Sequence, residues 1–135
     1  PSGVQGICPN GWHVPSDQEW TKLYFYLNGN EEYLCNGYNS YFGKAMASTS
    51  GWNSSTDDCT VGNNLSSKNA SGFSFFPSGD YHGEYSDFGN SAYFWCSTES
   101  PNGRIFYRLL KHNQTYLLRY NISKDNAYSV RCVKN

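Results

Sequence analysis

Five cysteines, at positions 8, 35, 59, 96 and 132, constrain this chain more than any other feature. None stands in a C-x-x-C pair, and no histidine has metal-ligand spacing to them, which argues against a zinc site. The simpler reading is an exported, oxidising setting in which thiols pair. Cys8 and Cys132 flank the chain, while Cys35 and Cys59 bracket its most polar stretch. The preferred pairing is therefore Cys8 with Cys132 and Cys35 with Cys59, leaving Cys96 odd. Spacing alone leaves other connectivities open. A bridge closing most of the chain would contribute roughly 4–5 kcal/mol by restricting the unfolded state.

With 135 residues, the expectation is one domain over 1–135, with residues 1–6 as a linker. The apolar supply is aromatic: 12 Tyr, 8 Phe and 4 Trp stand against a single Met, so few but large rings must fill the interior. The formal net charge of −1 comes without a basic stripe or a polybasic segment. Nucleic acid and a membrane surface are thus disfavoured as partners. No apolar run is long enough to span a bilayer, so no direct membrane insertion of this domain is expected. No secretory leader opens the chain, and Pro1 in place of Met reads as the start of a mature or excised fragment.

Ser16-Asp17-Gln18-Glu19 has the pattern of a capping box. Trp20, Leu23, Tyr24 and Leu27 follow at the spacing of one helical face, and Asn28-Gly29 ends it. Residues 30–72 are dominated by Asn, Ser, Gly and Thr, a length that needs a tether such as Cys35–Cys59 to stay ordered. Phe73-Ser74-Phe75-Phe76 reads as a buried strand ended by Pro77-Ser78-Gly79. Further strands are predicted near 92–98, 104–110, 115–120 and 128–133, with Gly83, Gly89 and Gly103 at turns. One helix early and several short strands late make an α+β pattern with long irregular loops.

Four ordered segments carry a family resemblance: Cys8-Pro9-Asn10-Gly11-Trp12-His13-Val14-Pro15-Ser16 through Glu19-Trp20, Gly72 to Gly79, Trp95 to Glu99, and Ser129-Val130-Arg131-Cys132-Val133-Lys134. They resemble the frame of the Fibrobacter succinogenes major paralogous domain family across nearly the whole chain. Two departures are Cys96, where the pattern has Ser, and the Cys35–Cys59 segment, which looks like an insertion. The resemblance implies a C-type lectin-like fold close to the formylglycine-generating-enzyme type. Its termini would then pair as neighbouring strands, which suits a Cys8–Cys132 bridge. It also implies export to the cell surface, anchored as a lipoprotein, at the outer membrane or in a pilus, and in some members diversification by a retroelement.

Retroelements of that kind mutate adenines, so an AAC codon reaches any codon ending in C. That set omits Lys, Gln, Glu, Met and Trp. From Arg104 to Ile122 only Lys111 and Gln114 fall outside it, and Cys96 is one adenine change from Ser. The set covers most residue types, so this fit discriminates little. Composition points the same way. Tyr93, Arg104, Phe106, Tyr107, Arg108, His112, Asn113, Tyr116, Arg119, Tyr120 and Asn121, with Tyr128, supply the rings, guanidinium forks and short amides that recognition surfaces use. Alternation along strands sends about half of these to the core. Leu109-Leu110 and Leu117-Leu118 must each put one Leu on each sheet face, which would leave an apolar patch if the outer face is open. The expected partner is a protein or glycan on another cell or phage.

Catalytic and metal readings find less. His13, after Trp12, reads as structural. Asp80, His82, Glu84 and Asp87 have some capacity for Ca²⁺, but the spacing is that of no EF-hand and a solvated turn is the plainer reading. Glu99-Ser100-Pro101-Asn102 resembles a lectin calcium motif only with a Ser interrupting it. No cofactor or metal is expected. Cys96 as the reactive thiol of a formylglycine-generating-type oxidase would need an activating base and a paired cysteine, and the sequence suggests neither. Asn53, Asn64, Asn69, Asn113 and Asn121 head glycosylation sequons that carry little weight in a bacterial product. The reading is a non-enzymatic ligand-binding module; the alternatives are a structural domain of a pilus or envelope protein and, last, the oxidase.

Overall fold

The capping box forms as the pattern predicts. Ser16 Oγ accepts from the Glu19 amide at 3.2 Å, and the Glu19 carboxylate accepts from the Ser16 amide at 2.8 Å. Helix α1 (Asp17–Asn28) starts there and ends at Gly29. Of its apolar face, Trp20 and Leu27 are buried, and Leu23 and Tyr24 pack against the core from its edge.

A computed structural model describes residues 6–64 and 69–135 of the chain. Most of the expected linker and the Leu65-Ser66 part of one sequon lie outside the described residues. Strand β1 (Trp12–His13) precedes α1. A short α2 (Gly43–Met46) follows two 3₁₀ turns, and β2 (Asp80–Tyr81) and β3 (Tyr85–Ser86) form a ribbon. Strands β4 (Ser91–Glu99), β5 (Ile105–Lys111) and β6 (Leu118–Ile122) form an antiparallel sheet in that order, and β7 (Val133–Lys134) returns to pair antiparallel with β1. The architecture is α+β. Both expected disulfides are present, Cys8–Cys132 and Cys35–Cys59, and they mark a protein of an oxidising, exported setting. No helix among the described residues is long and apolar enough to cross a membrane.

Three strand expectations are corrected. Residues 73–76 form no strand: Ser74 has φ +58°, so the chain bends, burying Phe75 and turning Phe76 outward. Only Phe75 keeps an isolated bridge, to Ala47. The strand expected at 115–120 is β6, at 118–122, because Leu117 is spent on the core before pairing begins. Within 128–133 only residue 133 is in a strand, and Ser129 makes a single bridge to Phe94.

Aromatic rings fill the interior as composition demands. Phe75 stacks on Phe94 at 4.2 Å, Phe73 meets Phe75 edge-on at 4.5 Å, and Trp20 tilts over all three at about 6 Å. Each such pair is worth about 0.5–1.5 kcal/mol beyond area burial. The family-like segments knit around this cluster. Arg131 lays its guanidinium over Phe73 at 4.3 Å and donates to the Phe73 carbonyl at 2.9 Å; Ser97 donates to the Pro15 carbonyl at 2.9 Å. His13 is structural: Nε2 lies 2.9 Å from Glu19 and Nδ1 2.6 Å from Asn135 Oδ1. With oxygens on both ring nitrogens, the imidazolium donates twice, and Asn135 first, then Glu19, hold the His13 pKa above its ordinary value.

Removing the terminal bridge by Cys8→Ser with Cys132→Ser is expected to cost about 4 kcal/mol in urea unfolding, and Cys35→Ser with Cys59→Ser about 3 kcal/mol. Losses under about 1 kcal/mol would show that the bridges do not restrain the unfolded chain.

Candidate recognition face

Alternation along β5 separates two sets of side chains. Phe106, Arg108 and Leu110 face the helix and core; Ile105, Tyr107 and Leu109 face outward. Antiparallel register carries the outward set across the sheet: Tyr93 opposes Leu109, Trp95 opposes Tyr107, Tyr107 opposes Tyr120, and Leu109 opposes Leu118. Tyr128 then folds over this face from the segment after β6. It stacks on Tyr93 at 4.7 Å and sits 4.5 Å from Trp95 and 4.9 Å from Tyr107. Tyr107 reaches Tyr120 at 5.9 Å, and Tyr120 is 48 % exposed.

Tyr128 is held by its neighbour. Trp95 donates its amide to the Ser129 carbonyl and Ser129 donates to the Tyr93 carbonyl, both at 3.1 Å. The Tyr93 hydroxyl donates to Asp87 at 2.7 Å. Burial raises the phenol pKa values of Tyr93, Tyr107 and Tyr128, and the nearby Asp80 charge adds to the effect in each. The rings also shelter Leu109, which is buried, so no open leucine patch forms.

Beside Tyr128 the surface opens into a cleft of about 290 Å³ lined by residues 78–81, Tyr85 and residues 127–129. Gly79 forms its floor with φ +68°. A Cβ there would sit 2.0 Å from the Ser86 carbonyl oxygen, so only glycine lets the β2–β3 ribbon close against this turn.

Of the residues expected to bind ligand, Tyr93, Tyr107 and Tyr120 come together on this face. Arg104, exposed just before β5, donates through Nη2 to the Asn121 carbonyl at 3.2 Å, and Asn121 itself opposes Phe106 in the ladder and so shares the inner side with it. His112, Asn113 and Tyr116 lie at the opposite end, around the β5–β6 connection: the His112 carbonyl accepts from Gly62, and Tyr116 packs against the core. Phe106, Arg108 and Arg119 are on the inner side. Arg108, only 3 % exposed, donates to Asp17 Oδ1 at 2.8 Å and to Thr21 Oγ1 at 2.9 Å, so it is removed from any surface. Arg119 stacks over Phe106 at 3.9 Å and forks onto the Asp17 carboxylate at 2.8 and 2.9 Å. Burial by itself would raise the Asp17 pKa, but Arg119 and Arg108 together hold it below the usual carboxylate range. Trp95, Tyr81 and Tyr85 belong to the surface but stood outside the expected set. Trp95 was hidden inside a framework motif, though it lies two residues from Tyr93 on the same strand face.

The acidic residues near the ribbon do not converge. Asp80 accepts from Ser86 Oγ at 2.6 Å and meets His82 at 3.1 Å, while Asp87 serves Tyr93. Among the described residues no group of three or more His, Cys, Asp or Glu is placed to hold a metal ion. Cys96 is a free, buried thiol on the inner face of β4, pushed up to about 11 by burial.

Two predictions follow from the inner face. Asp17→Asn leaves Arg108 buried without its counter-charge and is expected to cost about 3 kcal/mol in chemical denaturation. The pH profile of stability also has two edges. Asp17 and Glu19 have lowered pKa values, Glu19 through its Ser16 hydrogen bonds against the raising effect of burial, so their contribution is full above about pH 4 and lost as pH falls. His13 is raised, so its contribution is full below about pH 6.5 and lost as pH rises through its folded value. Thermal melts against pH are expected to plateau between these limits; a flat profile from pH 2 to 9 would contradict both assignments.

A protein-family model described as the Fibrobacter succinogenes major domain matches residues 2–134. No curated protein and no solved structure matches the chain.

Proposed function

Because the chain belongs to the Fibrobacter succinogenes major domain family, we propose that it is the ligand-binding module of a bacterial surface protein, recognising a protein or glycan on another cell or phage. The recognition surface is the outer face of the β4–β5–β6 sheet, carried on a C-type lectin-like scaffold. One observation carries this reading: Tyr93, Trp95, Tyr107, Tyr120 and Tyr128 form a continuous half-exposed ring cluster on the side of the sheet away from α1 and the core. Rigid rings with polar tips supply contact area at low entropic cost, and binding through them needs no cofactor.

Retroelement diversification fits the same division of faces. Outward side chains such as Tyr107 and Tyr120 can change without touching the core, whereas inward Arg108 and Leu110 cannot. The oxidase alternative draws no support: Cys96 is buried, its thiol is held neutral, and the other four cysteines are paired. Thiol labelling of the native protein is expected to leave Cys96 unmodified until the fold is opened by denaturant, and rapid native labelling would reinstate that alternative.

Binding to arrayed bacterial glycans, phage particles and cell-surface proteins tests the face directly. Tyr107→Ala and Tyr120→Ala are each expected to weaken a detected interaction about tenfold, or about 1.4 kcal/mol, with the melting temperature retained for Tyr120→Ala. Undiminished affinity in both folded variants would remove this face as the site and leave the structural-domain reading. Population sequencing of the encoding locus tests diversification: adenine-derived variation is expected at outward codons, with those for Asp17, Arg108 and Cys132 fixed. Uniform variation, or none, would rule it out.

A further inference from the structure

The two edges of the β4–β5–β6 sheet are finished differently. Along β4 the chain returns: Ser129 bridges Phe94 and Gly79 bridges Ala92, with Trp95 donating to the Ser129 carbonyl and Ser129 to the Tyr93 carbonyl. The opposite edge is β6. After Ile122 the chain crosses to the β4 side, where Ala127 pairs with Tyr81, and does not fold back along β6. Among the described residues, no backbone group outside β5 bonds to the backbone of residues 118–122. One carbonyl there, that of Asn121, accepts from the exposed Arg104 side chain. Every second residue of such a strand turns its N–H and C=O away from its single neighbour, a template for pairing with another chain. Edges are commonly blunted by charge or proline. Strand β6 holds no proline, and its one charged residue, Arg119, is already forked onto Asp17.

We propose that β6 takes an extended segment of a protein partner as a fourth strand of this sheet, with the segment's alternate side chains lying along the recognition face. Two observations select that occupant. A row of amides and carbonyls at strand spacing is matched by another backbone and not by a sugar. The outer side of this edge is also apolar: Leu118, Tyr120 and Ile122 stand opposite Leu109, Tyr107 and Ile105. None of these side chains is an amide, carboxylate or guanidinium that could orient the hydroxyls of a glycan. An added strand would set its own side chains about 4.5–5.5 Å from Leu118, Tyr120 and Ile122, the spacing at which aromatic and β-branched pairs stabilise a sheet. Tyr120 belongs to both the edge strand and the ring cluster, reaching Tyr107 at 5.9 Å, so the edge is continuous with the recognition face. The inference rests on the recognition-face reading and names its partner class, a protein, and the mode by which that partner binds.

The test selects linear twelve-residue peptides displayed on phage against the intact domain. Binders are then resynthesised with N-methyl groups on one or the other alternating set of residues. N-methylation removes backbone donors and keeps the side chains, and only one set faces β6 in strand addition. Methylating one set is expected to weaken binding by roughly tenfold or more, and the other by less than about threefold. Bound peptide is also expected to slow hydrogen exchange at amides within 118–122. Binders that tolerate both methylated sets, or that protect no amide of β6, would overturn strand addition; if Tyr107→Ala and Tyr120→Ala still weaken them, the recognition face stands. A selection that yields no binder would also overturn it, and glycan binding lost in those two variants would then keep the face. Self-association of the domain that protects 118–122 would give the edge to a second copy and overturn the proposal. Binders indifferent to methylation and to both tyrosine substitutions would overturn both readings.

Discussion

One carboxylate organises the inner side of this protein. Asp17, the first residue of α1, receives two guanidinium groups, from Arg108 on β5 and Arg119 on β6. The same residue's amide donates to Thr98 on β4 at 2.9 Å, so three strands are fixed to one helix end. A carboxylate in the first turn also suits the positive end of the helix. Buried Arg108 needs that partner, because an uncompensated charge in the interior costs far more than the pair contributes. With the sheet pinned, alternation alone decides which side chains meet the core and which meet solvent.

The chain uses aromatic residues twice, and the two uses are physically separate. Phe75, Phe94 and Trp20 are sealed between α1 and the sheet. Tyr93, Tyr107 and Tyr128 shelter one another on the opposite side, with hydroxyls that keep the cluster compatible with water. Tyrosine outside and phenylalanine inside is the division that the need to satisfy a buried hydroxyl imposes.

Local signals were the legible ones. The helix, its cap and its stop could be read from Ser16 to Gly29 because capping chemistry and helical periodicity are contained within a few residues. The disulfides were legible from where the cysteines stand relative to the chain ends and the polar insertion. The arginines were not. A paratope-like composition and an inward ion-pair network draw on the same residue type, and what tells Arg108 from Arg104 is that Arg108 lies within β5 against α1 while Arg104 precedes the strand and is exposed. The Phe73–Phe76 bend was likewise hidden, since Ser74 takes a left-handed conformation that no residue in the motif announces. Tyr81 and Tyr85 were missed for a different reason: their neighbours Asp80, Glu84 and Asp87 drew attention to metal chemistry, while a ribbon that sequence does not announce places both tyrosines at the cleft that Tyr128 also lines.

The pairing of β1 with β7 also governs how the fold can be reached. His13 aligns with Val133, and the bridge that seals them spans 124 residues of sequence. Contacts this distant must wait for nearly the whole segment to be available, and their loop-closure entropy is met late. A chain delivered in order from its N-terminal side therefore cannot lock β1 until β7 has arrived. Closing and oxidising this bridge thus needs both ends of the domain together in one oxidising compartment.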